Sequence, residues 1–332
     1  MFEEYQETLI LDFFSKVPGV SPAVCHQVIT ELLSPCSVAK VEPVQFQGSL
    51  SYTCVVDTSA SQRKIIQFRH EEFDTSSTDK AHSIYGDIVP PLRYLGHHHQ
   101  LHIYSSPFRT GCPYVEFLQA AEGVPLAGHR IQTVTDMSFL FVGGLYFHGS
   151  QPTARDTRSA VLHLRPTTAT LACEARCKVL LENTLTVIES NSNLVDALPT
   201  VLAHGDLTPF NYLVERTSGR ITAVLDWDGA TVQRVGYNLH FAEHLFGSMT
   251  LDGWEDYPER EAIEGKFCST LCEHLSAQGI DGVSAFLFSM ELSKALGILE
   301  YYVPRVANGA VDVWEKFLVA FLQRLSWENA QA

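Results

Sequence analysis

The residues best suited to chemistry lie in one stretch, VLAHGDLTPFNYLVERTSGRITAVLDWDGATVQRVGYNL, running from Val201 to Leu239. Asp206 is followed by Asn211, and Asp226 closes the second of two short apolar runs downstream. One carboxylate, one amide oxygen and a second carboxylate form the set that phosphoryl transfer from a nucleotide needs. The first carboxylate orients the attacking hydroxyl and takes its proton, while the amide oxygen and the second carboxylate hold Mg²⁺ against the phosphates. Asp and Asn are also ordinary turn residues, so the flanking elements must carry the reading.

The stretch reads strand, tight turn, HGDLTPFN loop, strand, Ser218-Gly219 turn, strand, then Asp226-Trp227-Asp228. A hairpin returns its ends to one edge. Asp226 can therefore reach the loop that carries Asp206 and Asn211.

With Leu207, Leu213-Val214 and Leu225 included, these residues resemble the His-Gly-Asp-Leu-x-x-x-Asn-x-Leu-Val and Leu-Asp-Trp-Asp motifs of the aminoglycoside phosphotransferase and choline kinase family, relatives of the protein kinases, in its fungal-type form. Weaker similarity, in element order and in Gln67-Phe68-Arg69 and Gly86 to Pro90, extends over most of the chain. The resemblance implies an α+β, bilobal protein-kinase-like fold with a small antiparallel β N-lobe and a larger, mainly helical C-lobe. It implies ATP as co-substrate, Mg²⁺, and transfer to a hydroxyl of a small molecule. Asp206 would be the catalytic base, with Asn211 and Asp226 as the metal ligands. His204 would complete the catalytic set by folding its loop from within.

The elements upstream fit such an N-lobe. Helical spacing covers Phe2 to Lys16, and Ser21-Pro22 starts a second helix to about Leu33. Strands are expected at Val44 to Phe46, Tyr52 to Val56 and Lys64 to Arg69, with a helix at Thr75 to Tyr85. A hairpin of Arg93 to Leu95 and Leu101 to Ser105 places His97, His98 and His99 at its tip. Adjacent strand residues point to opposite faces, so three consecutive histidines rarely share one ion.

By resemblance, the Phe46 to Ser51 loop, with Gly48 and Ser49, would cover the phosphates, although it holds a single glycine. The family brings a lysine to the phosphates on the third strand, paired with a helix glutamate. Here the strand ends in Arg69, Lys64 sits at its solvated mouth, and the following helix has no glutamate. Arg69 stands as a phosphate ligand, since guanidinium binds phosphate bidentately, or as a structural or surface arginine. The Tyr104 to Phe108 connector would run along the adenine edge, with Ser106 and Phe108 as nucleotide contacts. Phe68 and Phe108 are either apolar walls or core residues.

Beyond Pro107 helical patterning dominates, over Thr135 to Phe147, Thr167 to Glu189, Pro258 to Ala277, Gly282 to Tyr302 and Val311 to Leu325. The division expected is 1–106 for the nucleotide-binding lobe and 107–332 for the catalytic and substrate lobe. The acceptor would be met by Trp254, Asp256 and Tyr257 or by Glu300, Tyr301 and Tyr302, groups that can hold an ammonium or serve as a helix cap and a core face.

Composition narrows the classes. The chain has 332 residues, 23 basic and 38 acidic side chains, and a net charge of −15. That balance argues against nucleic acid as a partner and tilts towards a cationic small molecule. No run approaches the ~20 apolar residues of a membrane helix, and the acidic start MFEEYQETLILDFF lacks the basic region of a secretory signal. Eight cysteines, including the pairs Cys173/Cys177 and Cys268/Cys272, suit reduced core thiols of a cytoplasmic protein better than a disulfide scaffold or a zinc site. Two other functions stay open: a nucleotide-independent enzyme on the same scaffold, and a ligand-binding pseudokinase.

Overall fold

The first unit of the chain, Met1–Thr110, is organised around one antiparallel sheet, and the second, Gly111–Ala332, is mainly helical. The computed structural model describes residues 2–34, 37–120, 127–145, 155–250, 252–280, 283–309 and 313–325.

Helices α1 (Phe2–Ser15) and α2 (Pro22–Leu32) open the first unit. Ser21 Oγ accepts from the Val24 N–H at 3.4 Å, and Pro22 takes the first helical position, where its missing N–H leaves nothing unpaired. The sheet comprises β1 (Val38–Pro43), β2 (Ser51–Thr58), β3 (Arg63–Arg69), β4 (Arg93–His98) and β5 (Leu101–Pro107), in the order β1-β2-β3-β5-β4, with helix α3 (Ser76–Tyr85) between β3 and β4. Tyr52, Cys54 and Val56 alternate inward along β2 and pack with Phe13, Ile29, Ile66 and Phe68.

Two expectations shift here. The first strand covers Val38–Pro43 rather than Val44 to Phe46; it is a largely exposed edge, so it carries little apolar alternation, and Pro43 ends it. The histidine hairpin turns later than expected. His97 pairs with His102 and His98 with Leu101, leaving His99 in the turn at φ +52°.

The second unit begins with β6 (Cys112–Pro113), α4 (Tyr114–Ala120), α5 (Ala127–Val142), α6 (Thr157–Thr170), α7 (Ala175–Ser190) and α8 (Ser192–Asp196). Then come β7 (Thr200–Ala203), β8 (Tyr212–Val214), β9 (Ile221–Val224), β10 (Thr231–Arg234), a 3₁₀ turn at Tyr237–Ala242 and α9 (Glu243–Phe246). β11 (Gly247–Met249), β12 (Trp254–Asp256), α10 (Arg260–Ala277), α11 (Val283–Ala307) and α12 (Val313–Leu322) complete it. β8 and β9 form the expected antiparallel hairpin, flanked by β6. β7 pairs with β10, a half-exposed strand without apolar alternation.

The helix expected over Thr167 to Glu189 is two helices. Leu171 turns extended (φ −61°, ψ 126°) to bury its side chain, and α7 restarts where the Glu315 carboxylate of α12 accepts from the Glu174 N–H at 2.9 Å. That cap is tertiary, so no local glycine or proline announces the break. Cys173, Cys177 and Glu315 place their ligand atoms within 4.8 Å of one another here. α5 starts earlier than the expected Thr135, and residues 146–147, where that helix was expected to end, lie outside the described residues. Among the described residues, no helix is long and apolar enough to cross a membrane.

Candidate active site

The HGD loop joins β7 to the β8–β9 hairpin, and its conformation follows from three residues. Gly205 sits at φ +83°, and a Cβ there would land on the backbone carbonyl of Gly229. Only glycine permits this turn. His204 is 2 % exposed, donates from Nε2 to the Leu225 carbonyl at 2.7 Å, and lies 4.6 Å from the Trp227 ring. Its Nδ1 accepts the Asp206 N–H at 3.3 Å. Those partners require the neutral Nε2–H tautomer, and burial lowers the His204 pKa to about 4. His204 therefore touches loop backbone and Trp227, and acts as a positioning residue.

Asp206 is half-buried, and both carboxylate oxygens are engaged. Asn211 Nδ2 donates to the Asp206 backbone oxygen at 2.7 Å and to Oδ2 at 3.0 Å. With its NH₂ group anchored inward, the Asn211 amide takes no hydrogen bond at Oδ1 among the described residues. The Asn211 backbone oxygen accepts from the Leu225 N–H at 2.7 Å, so the loop is stitched to the residue before Asp226. Asp226 is exposed and stands at φ +59°, a left-handed conformation uncommon outside glycine and typical of functional turns. Trp227 beside it is buried and donates to the Val224 carbonyl at 3.2 Å. Asn211 Oδ1 and the Asp226 carboxylate are hard oxygen donors, a set that fits Mg²⁺.

The second engagement of Asp206 is not readable from local sequence. Tyr301 on α11 donates its hydroxyl to Asp206 Oδ1 at 2.6 Å. Burial pushes the Tyr301 phenol up, and the Asp206 charge adds to it, so the phenol keeps its proton. Arg305 stacks over the Tyr301 ring at 3.5 Å and donates to the Tyr301 carbonyl at 2.6 Å. One turn earlier, a Cβ on Gly297 would collide with the Tyr237 carbonyl, so glycine lets α11 approach the 3₁₀ turn and carry Tyr301 to the loop.

The aromatic clusters expected to meet an acceptor are differently used. Asp256 is bonded to Trp254 Nε1, Arg260 and Arg324, each at 2.9 Å, and Arg130 covers the Tyr257 ring at 3.7 Å. Beneath them, buried Glu243 meets Lys294 at 2.9 Å and Arg260 at 3.1 Å. Burial alone would raise the Glu243 pKa, but the two cations hold it below the usual carboxylate range. Breaking such a pair costs about 3–5 kcal/mol, which makes this cluster scaffold. Glu300 accepts from the Tyr237 hydroxyl at 2.9 Å, and Tyr302 is core.

In the first unit, Gly48 and Ser49 are exposed in the β1–β2 loop. Gln47 organises that loop by donating to the Val44 and Thr53 carbonyls (3.1 and 2.8 Å) and accepting from the Thr53 N–H at 2.8 Å. Arg69 is buried, paired in the sheet with Ser51 and His102, and lies 4.6 Å over Phe73. It is no surface arginine. Phe68 is core, Ser106 pairs with Ile65, and the Phe108 ring is covered by Arg63 at 4.9 Å.

Residues 147–260, which include His204, Asp206, Asn211 and Asp226, match the profile of the phosphotransferase enzyme family. No curated protein matches the sequence. Among solved structures, the chain resembles a macrolide 2'-phosphotransferase from Brachybacterium faecium (TM-score 0.59, 15% identity, 90% of this chain and 97% of that one). It also resembles a choline kinase from Cryptosporidium parvum Iowa II (TM-score 0.56, 12% identity, 92% and 96%). A third similar structure is a spectinomycin phosphotransferase in complex with ADP and its antibiotic (TM-score 0.52, 13% identity, 90% and 98%). Residues 147–260 thus match the phosphotransferase enzyme family, and the chain has the α+β fold seen in choline kinase and in the macrolide and spectinomycin phosphotransferases.

Proposed function

We propose that this protein is an ATP- and Mg²⁺-dependent phosphotransferase acting on a hydroxyl of a small molecule. The observation that carries the reading is the Asn211 amide, whose NH₂ holds Asp206 while its oxygen is left to ligate. Asp206 is the base: it orients the acceptor hydroxyl and takes its proton as the phosphoryl group transfers. His204 fixes the loop backbone, and Asn211 Oδ1 and Asp226 would hold Mg²⁺. When bound, the metal neutralises charge on the phosphates. In the first unit, Arg69, Gly48, Ser49, Ser106 and Phe108 are the proposed nucleotide contacts. ADP in the spectinomycin phosphotransferase supports nucleotide use. The net charge of −15 supports a cationic acceptor, but Asp256 is already paired with Arg260 and Arg324.

The test combines thermal shift with product formation across a panel of small hydroxyl compounds. Mg·ATP should stabilise the wild type. Asp206→Asn should keep that shift while turnover falls by ~10² or more, the scale of losing a positioned acid–base group. Full activity without nucleotide would establish the repurposed enzyme instead. A Mg·ATP shift with no turnover on any acceptor would favour the pseudokinase.

A further inference from the structure

Asp206 offers a substrate one surface, its carboxylate, and each oxygen of it already accepts a side-chain hydrogen bond within the protein. Asn211 occupies Oδ2 at 3.0 Å, as the loop's own geometry demands. Tyr301 occupies Oδ1 at 2.6 Å with a hydroxyl, the functional group that a phosphoryl acceptor must present there. Nothing about the loop itself requires that second bond. The phenol is brought in by α11 and held firmly: Arg305 lies over its ring at 3.5 Å, and Phe241 and Tyr302 pack edge-on at 5.0 and 4.8 Å. Each carboxylate oxygen can accept two hydrogen bonds, so the phenol leaves one fewer place at Oδ1 for a water molecule.

Resting on the phosphotransferase reading above, we propose that Tyr301 is a positioning residue whose hydroxyl holds the acceptor's place on Asp206, keeping water off the base until the acceptor displaces it. Two consequences follow. Without acceptor, ATP hydrolysis is suppressed, because attack by water needs the oxygen that the phenol covers. With acceptor, part of the binding free energy is spent on separating Tyr301 from Asp206, so loss of the phenol hydroxyl lowers KM more than it changes kcat.

The experiment measures Mg·ATP hydrolysis without acceptor in wild type, Tyr301→Phe and Tyr301→Phe/Asp206→Asn, alongside thermal shift with Mg·ATP. Tyr301→Phe keeps the ring and its stack on Arg305 while removing the hydroxyl. Its Mg·ATP shift should equal that of the wild type while hydrolysis rises roughly tenfold, the order expected for freeing a charged group from one hydrogen bond. The double variant should fall back to the wild-type rate or below. An intact Mg·ATP shift with hydrolysis unchanged or slower in Tyr301→Phe overturns the role of Tyr301 alone. Phosphate found on Tyr301 by mass spectrometry overturns it as well, since the phenol would then be a substrate. Absence of any Mg·ATP shift in the wild type ends the phosphotransferase reading, and this inference with it.

Discussion

In the second unit, His204, Asp206, Asn211 and Leu225 are joined by hydrogen bonds of 2.7 to 3.3 Å, and the loop closes on a glycine that no other residue could replace. In the first unit, Gly48 and Ser49 stand exposed in a loop pinned through Gln47, while Arg69 is held by strand register and the Phe73 ring. The contrast separates two ways of presenting polar groups. The HGD loop is preorganised, so its groups need little rearrangement when charge develops. The β1–β2 loop leaves Gly48 and Ser49 exposed, and segments with few buried contacts belong to the low-stability end of a structure.

Three measurements would break or sharpen that contrast. The largest effect is expected at Asp226. Asn tolerates the left-handed backbone there and keeps the shape while removing the charge. Asp226→Asn should therefore leave the ligand-free melting temperature unchanged and abolish the Mg²⁺-dependent part of stabilisation by ATP. Retention of that part would remove Asp226 from the metal set and weaken the claim that this region is preorganised for chemistry.

A smaller effect is expected at Arg69. If it meets the nucleotide phosphates, Arg69→Ala should weaken ATP binding by roughly ten- to a hundredfold, the value of a charge-assisted hydrogen bond, and Arg69→Lys should recover part of the loss. Titration calorimetry on both variants decides. Affinity indifferent to both would leave Arg69 as packing for Phe73, and the first unit's contribution would shift to backbone groups.

The third measurement is acid sensitivity. Burial lowers the pKa of His204 and His244 to about 4 and that of His240 to about 3, all in the second unit. The unfolded chain takes up these protons near its usual value of about 6.5, whereas the native state refuses them. Their contribution to stability is complete above that value and is lost progressively as pH falls towards 4. The urea midpoint followed by tryptophan fluorescence should drop between pH 7 and pH 5. An unchanged midpoint would mean that the loop histidine is not locked in its neutral form.

What was legible in the sequence was local. Ser21-Pro22 announced α2, and HGDLTPFN with its hairpin announced the strand–loop–strand frame around Asp206. The α6–α7 break was hidden because Leu171 and the cap from Glu315 act through tertiary contacts. β10 was hidden because a half-exposed four-residue strand has almost no periodicity. Tyr301 was visible as an aromatic near an acidic residue, but its partner lies 95 residues away, beyond any spacing rule. The fold was therefore easier to read than the company that Asp206 keeps.

Leu225 has neither a functional group nor an unusual conformation, yet its N–H bonds Asn211 and its C=O receives His204. One peptide-bonded residue thus couples the proposed base loop to the proposed metal turn as a single body. Such a body moves whole: a shift of the backbone at Asp206 would also displace Asn211 and Asp226. Tyr301 and Arg305 in α11 lie outside that body, so a side chain there can change without moving Leu225.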